Sequence, residues 1–76
     1  MKETLATIIK SLTEFPEQVS INEIDGEKSV VFEVKVAETD MGKVIGREGK
    51  IAAAIRTVMK ALASKEQKRV SVEFIG

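Results

Sequence analysis

The segment from Ser29 to Ala37 carries the clearest pattern in the chain. In an extended strand, successive side chains point to opposite faces. One face would carry Val30, Phe32, Val34 and Val36, and the other would carry Val31, Glu33 and Lys35. A chain of 76 residues has room for one core and no second lobe. We therefore predict that this strand lies in the sheet of a single domain spanning residues 1–76, with its valine and phenylalanine face in the core.

Two elements are predicted before this strand. Apolar residues recur at helical spacing at Leu5, Ile8, Ile9 and Leu12, which indicates an amphipathic helix over residues 2–13 that ends at Phe15-Pro16. Alternation over residues 19–22 indicates a first strand, and Asp25-Gly26 supplies a turn. The first two strands are therefore expected to form an antiparallel hairpin.

Two helices and a last strand are predicted after it. Thr39 or Asp40 can cap a short helix running to about Val44, and a second helix runs from Lys50 to about Ser64. Its predicted apolar stripe consists of Ile51, Ile55, Val58 and Leu62. The last strand alternates Val70, Val72 and Phe74 with polar positions. The order α-β-β-α-α-β predicts an α+β fold, in which three helices pack on a three-stranded mixed sheet whose third strand follows a parallel crossover.

Composition excludes several classes of function. The chain has no Cys, His, Tyr or Trp, so it offers neither disulfides nor a soft metal site, and it lacks the usual nucleophiles and bases. We predict no enzyme activity, no cofactor and no metal. The absence of a long apolar run argues against a signal peptide or membrane span, and a domain without disulfides suits the cytoplasm.

Charge is distributed unevenly, although the net charge is zero. Residues 1–39 contain four lysines and eight acidic residues, a net charge of −4, whereas residues 40–76 carry eight Lys or Arg and four acidic residues, a net charge of +4. The second half is therefore the candidate surface for an anionic partner.

The stretch from Gly42 to Arg56 is the most informative for function. It holds three glycines and four cations within fifteen residues, in the order GKVIGREGKIAAAIR. Gly46 and Gly49 allow the backbone to approach a ligand closely, and the helix that begins at Lys50 presents unpaired amide groups. Such a turn suits a phosphate group, and Lys43, Arg47 and Lys50 would add side-chain charge.

Two other phosphate-binding loops are excluded by spacing. A Walker A loop needs a glycine five residues before Gly49, where Val44 stands, and a Ser or Thr after Lys50, where Ile51 stands. A dinucleotide-binding loop needs the same missing glycine and a preceding strand, whereas a helix is predicted here.

Val44-Ile45-Gly46-Arg47-Glu48-Gly49 resembles the VIGxxG signature of KH domains, and the order α-β-β-α-α-β resembles the type II form of that fold. The resemblance covers essentially the whole chain. A KH domain with nothing appended is similar to the small stand-alone bacterial KH proteins, the KhpA-like group. In these, GKVIG, a second loop glycine and an AIR stretch recur.

The resemblance implies that Gly46, Arg47, Glu48 and Gly49 contact the backbone of about four nucleotides of single-stranded RNA while bases lie in an adjacent apolar groove. Ile45 and the three alanines Ala52, Ala53 and Ala54 would line this groove. Lys43 and Lys50 would flank the loop, and Arg56 and Lys60 are secondary candidates. The family further implies an RNA chaperone or regulator, and a homodimer or a heterodimer with another KH-containing protein. Two departures from the pattern, Glu48 inside the loop and Ala52 in place of a larger aliphatic residue, predict modest affinity.

Two alternatives stay open at the level of sequence. The chain could be a protein-interaction module of KH fold with little affinity for nucleic acid, for which Ile24, Val31 and Ile75 are candidate contact residues outside the core pattern. Single-stranded DNA could also replace RNA as the ligand.

Overall fold

The computed structural model describes residues 1–45 and 50–75, and it describes the side chains of all of these except residues 43–45. The elements follow in the predicted order, and a short 3-10 helix at Pro16–Gln18 joins the first helix to the first strand. They are α1 (Lys2–Leu12), β1 (Ser20–Asp25), β2 (Ser29–Lys35), α2 (Glu38–Ile45), α3 (Lys50–Lys65) and β3 (Arg69–Ile75). The predicted α+β class is confirmed.

The three strands form one mixed sheet in the order β1-β2-β3. β2 is central and pairs antiparallel with β1 and parallel with β3, so that Val31 lies opposite Ile24 on one side and Ser71 on the other. This is the predicted arrangement, in which the connection through α2 and α3 is long enough for a parallel crossover.

The core lies between the sheet and the helices, on the predicted face of β2. Phe32 and Val34 are fully buried, and they belong to one cluster with Leu5 and Ile9 of α1 and Met59 of α3. Burial of such side chains contributes about 1.5–3 kcal/mol each, which makes this cluster the main source of stability.

The buried stripe of α3 differs from the predicted one. Ile51 and Val58 are exposed, and the residues buried along the helix are Ala52, Ile55, Met59 and Ala63. The prediction was right for Ile55, and Leu62 packs partly buried against the core, but it was wrong for Ile51 and Val58 because it ranked residues by hydrophobicity. Alanines at 52 and 63 allow the helix to approach its neighbours closely, and the larger side chains lie to one side of the contact.

The start of α2 also differs from the prediction. The helix begins at Glu38, so Thr39 and Asp40 lie within its first turn and do not precede it. Asp40 is fully buried, and its two oxygens accept hydrogen bonds from the backbone N–H groups of Glu14 and Phe15, at 2.8 and 2.9 Å. The side chain predicted as a possible cap therefore ties α2 to the segment after α1.

The chain reverses after α3 through a C-terminal cap built on Gln67. Gln67 has a φ of 57°, in the left-handed region. Its N–H donates a hydrogen bond to the carbonyl of Ser64, and the N–H of Lys68 donates one to the carbonyl of Ala63, both at 3.0 Å. These are the two hydrogen bonds of a Schellman motif. Lys68 Nζ also donates to Asp25 Oδ1 at 2.7 Å, and this bond raises the pKa of Lys68. The start of β3 is thereby fixed beside the β1–β2 turn.

Candidate nucleic-acid interface

The predicted phosphate-binding residues divide between described and undescribed parts of the chain. Gly46, Arg47, Glu48 and Gly49 lie outside the described residues, and of Lys43 and Ile45 only the backbone, at the end of α2, is described. The structure does show the elements on either side. The GREG segment connects the end of α2 at Ile45 directly to the start of α3 at Lys50.

α2 is held in place by the buried Asp40. A carboxylate taken out of water needs hydrogen bonds to both oxygens, and here the backbone after α1 supplies them. α2 is eight residues long. The contact in its first turn therefore lies about 8 Å along the helix axis from the end that leads into the GREG segment.

The N-terminal turn of α3 is suited to an anion. A helix N-terminus favours negative charge, and the first turn of this helix contains no acidic residue. Along its whole length the helix carries Lys50, Arg56, Lys60 and Lys65 and no carboxylate. The positive charge of the second half of the chain is therefore concentrated on this element.

α3 has two exposed flanks of different chemistry, on either side of its buried stripe. The flank next to β3, here called the β3 flank, carries Ala53, Arg56 and Lys60, which are exposed and lie about one turn apart. The flank next to α1 carries Ile51, Ala54 and Val58. Of the three alanines predicted to line one groove, Ala52 is buried in the core, and Ala53 and Ala54 are on different flanks.

Arg56 is the most firmly positioned cation on the β3 flank. Its Nε donates a hydrogen bond to the backbone carbonyl of Val72 at 3.2 Å, and its guanidinium carbon lies 5.6 Å from the ring centroid of Phe74. Sequence spacing alone placed Arg56 on a polar side of α3. It gave no sign of these two β3 partners, because both are contacts between elements distant in sequence.

On the opposite flank, α1 and α3 enclose an apolar groove of about 250 Å³. Only apolar side chains line it, and Leu12 and Val58 are each 43% exposed. The groove, hereafter the α1–α3 groove, consists of Ile8, Leu12, Ile51, Ala54, Ile55 and Val58. Sequence reasoning missed it, because the residues of α1 and α3 were each assigned to the core.

The three predicted protein-contact residues on the sheet do not form one patch. Ile24 lies opposite Val31, whereas Ile75 lies opposite Lys35, at the other end of the pairing. Between them the register places Glu33 beside Glu73, and Asn22 donates a hydrogen bond to Glu33. The outer face of the sheet is therefore divided by a polar row.

A second concavity, of about 580 Å³, lies between Gln18 and the first turns of α2. Gly42 forms part of its wall, and a Cβ atom placed on Gly42 would have no described atom within 4 Å apart from its chain neighbours and the adjacent backbone of α2. Packing among the described residues therefore does not require glycine there.

The described residues contain no group of three metal-ligating side chains. Within the same ranges, no helix has the length and apolar character needed to cross a membrane.

Comparison with known proteins places these features in a family. A family model described as "KhpA/KhpB, KH domain" matches residues 2–74. The chain is 59% identical over 75 residues to a protein of Clostridium acetobutylicum named RNA-binding protein KhpA, covering 99% of this chain and 100% of that protein. Proteins of the same name from Clostridium perfringens and Chlamydia pneumoniae are 57% and 47% identical, each over 99% of this chain and over 100% and 96% of their own lengths.

Proposed function

The chain belongs to the KhpA/KhpB family of KH domains, and on that premise we propose that it is a non-catalytic protein that binds single-stranded RNA. In this proposal the GREG segment, residues 46–49, holds the sugar-phosphate backbone, and bases lie along the adjacent part of α3. The cellular role would be that of an RNA chaperone or a regulator acting on RNA in the cytoplasm.

The observation that carries this proposal is the position and charge of α3. The helix begins directly after the GREG segment, has no acidic residue in its first turn, and holds only positive charges along its length. A helix N-terminus of this kind favours an anion, and cations further along the helix can contact successive phosphates. The exposed Ala53 leaves little side-chain bulk on the β3 flank, so that a base has room beside Arg56.

The loop is expected to hold RNA with modest affinity. Glu48 places a carboxylate between the two glycines, where it opposes the positive charge of Arg47 and Lys50. The protein as a whole has no net charge, so it lacks the long-range attraction for RNA that a net positive charge would supply. The observed affinity should therefore depend on a small number of local contacts.

Binding to a fluorescent single-stranded RNA should weaken as salt is raised. If about three phosphates are contacted, a slope near −0.7 per contact gives a loss of roughly tenfold to twentyfold between 50 and 200 mM salt. Fluorescence polarisation measures this directly. Absence of binding at 50 mM salt would refute RNA binding, and equal competition by single-stranded DNA of the same sequence would make DNA an equivalent ligand.

The α1–α3 groove supports a second candidate function, association with a second copy of this chain or with another KH-containing protein. Its wall is continuous and apolar, whereas exposed apolar residues on the surface of a monomer are usually scattered. The groove lies on the flank of α3 that faces away from Arg56 and Lys60. RNA binding and self-association would therefore use different surfaces and need not exclude each other.

Val58→Asp is expected to abolish self-association if the groove is the contact. The substitution places a charge among apolar side chains that would be buried between subunits, which should weaken the complex at least about tenfold. Sedimentation velocity over a concentration series gives the oligomeric state. Thr57→Asp is the matched control, because it adds the same charge at the neighbouring exposed position outside the groove. A wild type that stays monomeric at high concentration would exclude the homodimer.

A further inference from the structure

Arg56 differs from the other cations of α3 because two contacts with β3 restrain its side chain. The Nε–H group bonds the Val72 carbonyl, and the guanidinium lies against the Phe74 ring. A long charged side chain on a surface loses rotamer entropy when a ligand fixes it. For Arg56 part of that loss has already occurred in the folded protein.

The two contacts place the guanidinium at the open edge of the sheet. β3 is an edge strand, and the N–H of Arg69 points toward β2, where it bonds the carbonyl of Lys28. Backbone groups of successive strand residues point alternately to the two sides. Those of Val70, Val72 and Phe74 therefore point away from β2, and Arg56 reaches the Val72 carbonyl from the open side.

Nε of Arg56 donates the hydrogen bond to the Val72 carbonyl, so this bond does not involve the two terminal nitrogens of the side chain. These nitrogens form a planar fork that matches a pair of acceptors lying side by side. The same fork can also hold two phosphate oxygens, but a phosphate on this flank can equally be held by the exposed Lys60, whose ammonium group needs no fixed orientation. A restrained fork gains most where the direction of both donors matters, which is at the edge of a base.

We propose that Arg56 is a specificity-determining residue that recognises guanine in the RNA bound along the β3 flank. Guanine presents two acceptors, O6 and N7, on one edge, and the two-donor fork of arginine pairs with both. That edge is accessible in single-stranded RNA. Arg56 lies six residues after Lys50, about 9 Å along the helix from the end of the GREG segment, within the span of the nucleotides that a KH loop holds.

The inference about Arg56 rests on the proposed RNA binding, and it is tested by measuring the base preference of the full chain. Two sets of eight-nucleotide uridine oligomers are compared for their affinity. One set carries a single guanine at each position in turn, and the other carries adenine at the same position. We expect about tenfold tighter binding for guanine at one position. Replacing that guanine with 7-deazaguanine, which lacks the N7 acceptor, should remove most of the preference with the wild-type protein.

The variant Arg56→Met keeps the aliphatic part of the side chain but removes the charge and the donor fork. It should bind the guanine and adenine oligomers within about twofold of each other. Lys60→Ala is the matched control on the same flank. It should weaken binding to both oligomers by one common factor and reduce the steepness of the salt dependence.

The possible failures are distinguishable. If the wild type binds none of the oligomers, both the RNA-binding proposal and this inference fail. If it binds them all without a preference for guanine, or if Arg56→Met or 7-deazaguanine leaves the preference unchanged, the inference about Arg56 fails and RNA binding stands. Circular dichroism of each variant excludes loss of the fold as the cause.

Discussion

Replacing Asp40 with alanine is expected to lower the free energy of unfolding by about 3 kcal/mol. The larger part of this loss arises because two backbone N–H groups lose the carboxylate oxygens that accept their hydrogen bonds. Asp40 is fully buried, and its carboxylate accepts hydrogen bonds from Glu14 and Phe15. A hydrogen bond to a charged group contributes about 1.5–3 kcal/mol, and the variant loses two of them in a partly buried setting. For a domain of this size, the loss should lower the melting temperature by roughly 12–24 °C.

Asp40→Asn separates the contributions of the two oxygens. The amide keeps one acceptor but turns its NH2 group toward the other backbone donor, so we expect a loss of about 2 kcal/mol. Urea unfolding followed by circular dichroism measures both variants. Glu38→Ala is the control, since it also removes a carboxylate from the first turn of α2, but from an exposed position. An equal loss in the control would show that the helix dipole accounts for the effect and the buried bonds do not.

The second large effect is expected at the GREG segment. The double substitution Arg47→Asp, Glu48→Asp keeps both glycines and changes the charge of the loop by two units. If Arg47 contacts a phosphate, its loss removes a charge-assisted bond worth about 1.5–3 kcal/mol, equivalent to at least tenfold in affinity, and the new carboxylate adds repulsion. Titration of single-stranded RNA at 50 mM salt should therefore show binding weakened by about tenfold to a hundredfold.

The chain offers a matched control for this loop variant. Lys65-Glu66 has the same order of charges as Arg47-Glu48 and lies at the other end of α3, where both residues are exposed. Lys65→Asp, Glu66→Asp changes the net charge by the same two units at a distance from the loop. If both double variants lose affinity equally, the effect comes from overall charge, and the GREG segment is not the phosphate site.

The two predictions are linked through α2. Asp40 fixes the first turn of this helix against the segment after α1, and the other end of the helix leads into the GREG segment. A loosened α2 would no longer hold Lys43 and the loop in one position relative to α3. Asp40→Asn is therefore also expected to weaken RNA binding at temperatures where the variant is still folded, although position 40 itself contacts no ligand in this proposal.

Much of the fold was predictable from local pattern, because strands and helices have different periods. The alternation from Val30 to Val36 identified the buried face of β2, and its burial is confirmed. β1 was predicted too short, over residues 19–22, since it extends to Asp25. Asn22, Glu23 and Asp25 have little intrinsic preference for a strand, and pairing with β2 overrides that preference.

The sequence by itself determined the order of the elements, the core face of β2 and the family, because these depend on periodicity and on a short motif whose residues are neighbours in the chain. Only the tertiary structure decided that Asp40 holds the segment after α1, that Ala53 and Ala54 lie on different flanks of α3, and that Arg56 is restrained by Val72 and Phe74. Each of these depends on which elements come together in space. Hydrophobic periodicity shows that a helix has a buried side, but the neighbours on either flank are set by the packing of the whole chain.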